Sequence, residues 1–243
     1  MKNKKYLKIV LAILTTILVL SLGIFMYASD YYHATTEALA QTHSSQTVTV
    51  TTPSDDLMIF EPEHAKAGFI FYPGGKVEYT AYAPLLHELA EEGILCALVK
   101  MPLNLAVLDI NAADGIQALY PEIQNWYIGG HSLGGSMAAS YLAKHQDKYN
   151  GLVLLGAYST SDLSDTDLDV ISIYGSNDQV LNTEKYETYK DNLPTDFTEF
   201  IIDGGSHAYF GTYGLQEGDG IATISNEEQI DITADLLLEH MAS

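Results

Sequence analysis

The sequence predicts an α/β fold in which helices cover both faces of a mostly parallel central sheet, preceded by one N-terminal transmembrane helix. Apolar segments typical of buried strands alternate with helical patterns along residues 47–243, and strands that alternate with helices form parallel sheets. About 200 residues are enough for one domain with its own core. An uncharged run, residues 9–28, precedes them.

The N-terminal end indicates a membrane anchor. Lysines are concentrated in residues 1–8, and residues 9–28 can cross a hydrocarbon core of about 30 Å at about 1.5 Å per residue. The lysines place residues 1–8 in the cytoplasm and the rest of the chain outside the cell membrane. A cleaved signal peptide, which would make the protein secreted, is the alternative. The run exceeds the usual length of about 7–15 residues, and residues 26–28 lack a small-x-small cleavage site, so we expect a single-pass anchor.

The remaining segments follow in order along the chain. Residues 29–46 are polar without an apolar face and are expected to form a tether. The domain, residues 47–243, begins with two predicted antiparallel edge strands at 48–50 and 57–60. The last helical pattern starts with a capping box, Ser225 and Glu228. The helical patterns lie at 79–92, 112–119, 133–145, 184–192 and 226–241.

The charge of the chain excludes one class of partner. The sequence has 11 lysines, no arginine and 32 acidic residues, for a net charge of −21. Such a surface repels nucleic acid and anionic bilayers, so we expect no nucleic-acid partner and contact with the membrane through residues 9–28 only. We interpret the acidic surface as one that keeps the protein soluble, in preference to a site for a cationic polymer. The lone Cys96 excludes an intramolecular disulfide and is expected in the core.

The pentapeptide Gly-His-Ser-Leu-Gly at residues 130–134 is the first candidate functional motif. A predicted strand precedes it and a helix rich in small residues follows it. In such a turn the glycines let the chain pass close to its neighbours. The serine hydroxyl is raised above the sheet, at a helix N-terminus that favours developing negative charge. Ser132 is therefore a candidate nucleophile.

An acid and a histidine follow Ser132 in the chain order that this turn requires. Asp178 comes after the predicted strand 168–174, and His207 comes after the predicted strand 197–202. Functional groups gather beyond the carboxyl ends of the strands in an open parallel sheet, so these loops can bring the three residues together. In that arrangement an imidazole takes the serine proton and a buried carboxylate orients the imidazole.

Four segments in this order, 69–76, 129–135, 174–178 and 205–208, resemble the α/β-hydrolase family, in particular small carboxylesterases and dienelactone-hydrolase-like proteins. The resemblance covers residues 56–241. It implies an α/β-hydrolase fold, a triad of Ser132, His207 and Asp178, an oxyanion hole, and no metal or organic cofactor. Only twelve residues, 156–167, lie between two of the predicted strands, so we expect no cap domain and an open site.

The oxyanion hole needs two backbone N–H groups around the developing negative charge. The amide of Leu133 is the natural first donor because it follows the nucleophile at the helix start. The second donor belongs to the loop 73–76, which begins Pro-Gly where many relatives have His-Gly. This departure leaves the donor open between Gly75 and Lys76.

The loop 208–223 directly follows His207 and is long for a loop without structure of its own. Loops of this length are usually functional, so Tyr209 and Phe210, together with Lys76, are expected to bind substrate. A surface loop that packs on itself is the alternative.

Other residues near the motifs are assigned other roles. Asp203 lies only four residues before His207, so Asp178 on a separate strand is the preferred acid. His131 is expected to support packing or the loop. Residues 165–176 have the acid spacing of a calcium loop but lack its glycine and its final glutamate, so no metal is expected.

These observations predict a membrane-anchored, extracytoplasmic serine hydrolase. It would cleave an ester or related acyl bond of a small-molecule or cell-envelope substrate through an acyl-serine intermediate. An acyltransferase with the same triad is one alternative, and a catalytically silent binding module on a hydrolase scaffold is the other. The complete set of triad residues disfavours the silent module.

Overall fold

The computed structural model describes residues 2–241, which divide into two units. The first unit ends at Tyr31 and contains helix α1 (Lys2–Ser29). Within it, Lys8–Ser29 has 22 residues and a mean hydropathy of 2.7, so its length and composition suit a crossing of about 30 Å. A signal sequence near the N-terminus can also satisfy this criterion of length and hydropathy.

The second unit begins at Tyr32, whereas the sequence places the start of the domain at residue 47. Within the stretch expected to be a tether lies helix α2 (Thr36–Ala40). The Thr35 side chain accepts a hydrogen bond from the Ala38 amide at 3.3 Å, and Ala38 is fully buried. The polar residues at the start of this stretch are therefore a helix N-cap and first turn. One buried alanine is too weak an apolar signal to reveal this helix in the sequence.

An eight-stranded sheet forms the centre of the second unit. Its strands are β1 (Val48–Ser54), β2 (Leu57–Pro62), β3 (Ala67–Tyr72), β4 (Ile94–Val99), β5 (Trp126–His131), β6 (Gly151–Leu155), β7 (Asp169–Gly175) and β8 (Thr198–Ile202). Their spatial order is β1-β2-β4-β3-β5-β6-β7-β8. Strand β2 runs antiparallel to β1 and β4, and the other neighbours are parallel. The predicted mostly parallel sheet is confirmed.

Helices cover both faces of the sheet, as the sequence predicts. Strand β3 shows why its sequence is an unbroken apolar run: Phe69 and Phe71 pack in one apolar cluster, and Ile70 and Tyr72 pack in another. The helices are α3 (Ala83–Glu91), α4 (Leu133–Leu142), α5 (Thr183–Tyr189) and α6 (Asn226–Met241). The first cluster includes residues of α3 and α6, and the second includes residues of α4. A strand buried on both faces needs apolar side chains at every position.

The expected helix at residues 112–119 is wrong. Turns occupy this region, which ends in a 3₁₀ turn, Gln117–Leu119. The Tyr72 hydroxyl donates to the Ile110 carbonyl at 2.8 Å and accepts from the Ala113 amide at 2.9 Å. Gly115 has a positive φ of 82°. The competing hydroxyl and the left-handed glycine together prevent a regular helix.

The connection between β6 and β7 has no helix or strand at residues 156–168. This agrees with the expected lack of a cap domain at that position. The loops at the carboxyl ends of β5, β7 and β8 carry the three residues of the expected triad.

Candidate active site

Ser132 lies in a sharp turn between β5 and α4. Its backbone has φ 52° and ψ −122°, a combination that costs on the order of 1–3 kcal/mol for a residue with a side chain. A Cβ atom at Gly130 or at Gly134 would clash with the carbonyl oxygen of Tyr72. The glycines of the motif are therefore required by the close approach of β3, and they hold the strained serine at the helix start.

His207 and Asp178 form a buried pair. Nδ1 of His207 lies 2.8 Å from Oδ2 of Asp178, and the two side chains are only 2% and 1% exposed. The other carboxylate oxygen, Oδ1, accepts the amides of Val180 and Leu181 at 2.9 and 2.8 Å. A Cβ atom at Gly156 would lie 2.9 Å from Nδ1 of His207, so the pair needs glycine there. The carboxylate is thus held by its own loop while it orients the imidazole.

Two contacts place this pair beside the Ser132 turn. The Ser132 amide donates to the Leu155 carbonyl at 2.9 Å, and the next residue, Gly156, lies against His207. The ring of His131 lies 4.4 Å, centroid to centroid, from the ring of His207. Within residues 2–241, Nε2 of His207 is buried and has no hydrogen-bond partner. This nitrogen is therefore available to accept a proton, and catalytic hydrogen bonds often tighten only when substrate binds.

The alternative acid, Asp203, is exposed and does not pair with His207. Its Oδ1 lies 3.5 Å from the Ser176 hydroxyl. The structure brings Asp178, on the loop after β7, to the histidine.

His131 supports the loop that follows β3. The Tyr82 hydroxyl accepts the Gly74 amide at 3.0 Å and lies 2.8 Å from Nδ1 of His131. Burial raises the pKa of Tyr82, so its hydroxyl stays protonated. Burial, followed by the neighbouring His207, holds the pKa of His131 well below its usual range. His131 is therefore neutral and shares a buried hydrogen bond with Tyr82.

The backbone amides of the same loop differ in their hydrogen bonds. The Lys76 amide donates to the Asn104 carbonyl at 2.8 Å, so it is occupied. The Gly75 amide has no acceptor in the part of the chain that the structure describes. A Cβ atom at Gly75 would lie 3.0 Å from a side-chain methyl of Leu133. The first residue of a helix has a free N–H, so the amides of Gly75 and Leu133 are two free donors on adjacent segments.

The residues expected to bind substrate differ in how deeply they are buried. Tyr209 is half-buried and so is Lys76. Phe210 is fully buried, with its ring centroid 5.7 Å from that of His131. Phe210 therefore packs behind the site and does not line an open cleft.

Asp219 is a residue that the sequence reasoning missed. Its Oδ2 accepts the Ala208 amide at 2.8 Å, and its Oδ1 accepts the Gln179 amide at 3.2 Å. Ala208 and Gln179 directly follow the histidine and the acid of the buried pair. Asp219 thus ties the two loops together, and no local motif in the sequence marks this role.

A cavity of about 680 Å³ lies apart from these residues. Burial, followed by the nearby Asp231, Asp235, Glu91 and Glu92, raises the pKa of Glu88 in its wall to about 7. Its acidic lining residues are Glu37, Glu88, Glu91, Glu227 and Asp231.

This raised pKa predicts a pH-dependent effect of Glu88→Gln on stability. Between pH 4.5 and about 7, Glu88 is protonated in the folded protein, whereas an ordinary glutamate in the unfolded chain is ionised. Stability therefore falls as pH rises through this window, and the penalty persists above it. Because Glu88 is partly exposed, we expect Glu88→Gln to raise the free energy of unfolding by about 1 kcal/mol at pH 8 and by little at pH 4.5.

Urea unfolding at the two pH values measures this effect, with Glu63→Gln on an exposed glutamate as the control. An equal gain at pH 8 and at pH 4.5 would contradict the assignment.

Comparisons with known proteins identify the family and the fold of this chain. A family profile described as "Alpha/beta hydrolase family" matches residues 68–231. A search of curated proteins gives no match. Similar solved structures include a predicted CIB-like hydrolase from Thermoplasma acidophilum, with 13% identity and a TM-score of 0.55 over 79% of this chain and 99% of that one. TT1662 from Thermus thermophilus has 13% identity and a TM-score of 0.58 over 81% and 98%. Est1E from Butyrivibrio proteoclasticus has 14% identity and a TM-score of 0.56 over 82% and 100%. At these identities the structures bear on the fold alone.

Proposed function

We propose that this chain, which belongs to the alpha/beta hydrolase family, is a serine hydrolase that cleaves an ester or related acyl bond through an acyl-Ser132 intermediate. The observation that carries the proposal is the buried His207–Asp178 pair beside the strained Ser132 turn, with Nε2 of His207 left without a partner among residues 2–241. A silent binding module has no need of a strained serine beside an oriented imidazole. The structurally similar Est1E has the same fold.

The proposed reaction has two halves, the formation and the hydrolysis of the acyl-serine, and His207 acts as the base in both. Nε2 of His207 takes the Ser132 hydroxyl proton while Oγ attacks the acyl carbon. The amides of Gly75 and Leu133 stabilise the oxyanion that forms. The C–O bond to the leaving group breaks, and the imidazolium returns its proton to that oxygen. Water then attacks the acyl-serine with the same base, which releases the acid and restores Ser132.

A fluorophosphonate probe and esters of graded chain length test the proposal. We expect the probe to label Ser132, as located by peptide mass spectrometry, and p-nitrophenyl esters to be hydrolysed. Short acyl chains should be preferred because the connection between β6 and β7 contains no cap domain that would enclose the site. Absence of labelling together with absence of hydrolysis would favour the silent module. Product formation only with an added alcohol acceptor would favour the acyltransferase.

We further propose that residues 9–28 anchor the chain in the cell membrane with the catalytic unit outside the cytoplasm. The support is the apolar Lys8–Ser29 stretch together with the lysines before it. Full-length protein should sediment with membranes, keep its N-terminal residues, and be digested by protease added to intact cells. A cytoplasmic protein that stays intact in the same sample is the control. A soluble product that begins near Ser29 would show a signal peptide instead.

A further inference from the structure

Residues 32–35, here called the N-terminal segment, pair with the loop that carries the proposed oxyanion donor. The Tyr32 amide donates to the Lys76 carbonyl at 2.8 Å, and the Tyr32 carbonyl accepts the Glu78 amide at 2.9 Å. Tyr32 thereby forms a parallel bridge with Val77. The segment therefore adds a short strand-like support to a loop that lies beyond the end of β3.

The N-terminal segment also binds the loop after the histidine of the triad. The Tyr32 hydroxyl accepts the Glu217 amide at 3.1 Å, and its ring lies 5.5 Å from the ring of Tyr213. The Thr35 amide donates to the Thr212 carbonyl at 3.0 Å. One side chain and its neighbours thus connect the two loops that flank the proposed site.

The supported loop has a backbone conformation that needs outside restraint. Lys76 has a φ of 59°, in the left-handed region that residues with a side chain seldom adopt. Such conformations persist only when the surroundings over-determine them. The Gly74 amide is held before Gly75, and the Lys76 carbonyl is held by Tyr32 after it. The Lys76 amide is also held by the Asn104 carbonyl, and the Gly74 carbonyl accepts the Val77 amide at 3.3 Å. These bonds together fix the direction of the Gly75 amide, and the bond from Tyr32 is the one that the N-terminal segment supplies.

We propose that Tyr32 is a positioning residue for the oxyanion hole and that it acts by holding the Lys76 carbonyl and, through it, the Gly75 amide. The inference rests on the proposed function. Donors in an oxyanion hole act because they are preset at hydrogen-bond distance from the developing charge, so a small rotation of this peptide lowers the rate. Only residues 30 and 31 separate α1 from Tyr32, so a chain cut at residue 29 keeps this support and a chain that begins at residue 47 loses it.

Variants of the full-length protein in detergent test the proposal. Tyr32→Pro removes the N–H that the Lys76 carbonyl accepts, and Tyr32→Ala removes the ring and the hydroxyl. We expect Tyr32→Pro to lower kcat for a short ester by about 10- to 100-fold with KM within about twofold, since one lost oxyanion donor costs about 10²–10³ in kcat. Tyr32→Ala keeps the N–H and loses only the contacts that hold Tyr32 in place, so we expect a smaller loss of kcat. Tyr32→Phe keeps the ring and the backbone bonds and should keep kcat within about threefold of that of the original protein. Leu39→Ala, at an exposed site on α2, is the control.

A readout that needs no activity separates this proposal from the proposed function. Trypsin should cut after Lys76 faster in Tyr32→Pro and Tyr32→Ala than in the original protein. Unchanged cleavage, or unchanged kcat per fluorophosphonate-titrated site, would overturn the role of Tyr32. If Lys76 becomes more accessible but the original protein neither labels at Ser132 nor hydrolyses esters, the proposed function fails and the role in the oxyanion hole fails with it.

Discussion

Ser132→Ala and His207→Ala should each lower kcat/KM for a short ester by about 10⁴-fold or more, and the double variant should be little slower than either. Attack by Ser132 requires the proton acceptor, and the proton acceptor is useless without the nucleophile. The two residues therefore act as a unit, and removal of one already removes the contribution of the other. The activity that remains comes from binding and from the oxyanion donors.

Initial rates with a p-nitrophenyl ester measure this prediction, and thermal unfolding checks that each variant is folded. Ser140→Ala is a matched control because Ser140 lies on the same helix, α4, and among residues 2–241 its hydroxyl bonds only the Ser136 carbonyl, at 2.9 Å. The control should keep nearly full activity. If the two single losses simply multiplied in the double variant, Ser132 and His207 would act in separate steps, and the proposed mechanism would be wrong.

The parts of the fold that the sequence predicts are those whose signal is local. One turn, at Ser132, is predicted by the glycines at 130 and 134, the apolar strand before it and the small residues after it. The structure contains this turn between β5 and α4. The strands before Asp178 and His207 are likewise apolar runs that end at polar loops. Periodicity and turn residues describe such elements completely because their neighbours along the chain determine them.

The parts that the sequence leaves open depend on partners far along the chain. The Asn104 carbonyl accepts the Lys76 amide and so leaves Gly75 as the free donor. The residues next to Lys76 in the sequence do not indicate this contact. The turns at 112–119 replace a helix because the Tyr72 hydroxyl, about forty residues earlier, competes for backbone groups there. Tyr32 lies in a polar segment of the sequence, and only the structure shows that it pairs with Val77.

The surroundings of the histidine explain why the site needs so many glycines and so few special side chains. The chain must pass close to its neighbours at Gly130, Gly134 and Gly156, where a Cβ atom would meet backbone or the imidazole. The carboxylate and the imidazole pair beside the Ser132 turn, on loops at one edge of the sheet, where open parallel sheets gather their functional groups. Rigid strands hold these loops, so the reacting groups keep their geometry without a covering domain.

Asp178→Asn should lower kcat by about 10⁴-fold while the fold is kept, whereas Asp203→Asn should have little effect. The side-chain amide oxygen that this substitution introduces can still accept from the amides of Val180 and Leu181, so the loop retains its conformation. The side-chain amide nitrogen then faces Nδ1 of His207 and donates to it, which places the imidazole proton on Nε2. An Nε2 that carries a proton accepts none from Ser132, so the attack slows without any loss of packing.

Steady-state kinetics on both variants measure the difference, and unfolding midpoints check that each variant is folded. Asp203→Asn is the matched control because it makes the same atomic change at an exposed site. A larger loss of kcat from Asp203→Asn than from Asp178→Asn would assign the acid of the triad to Asp203.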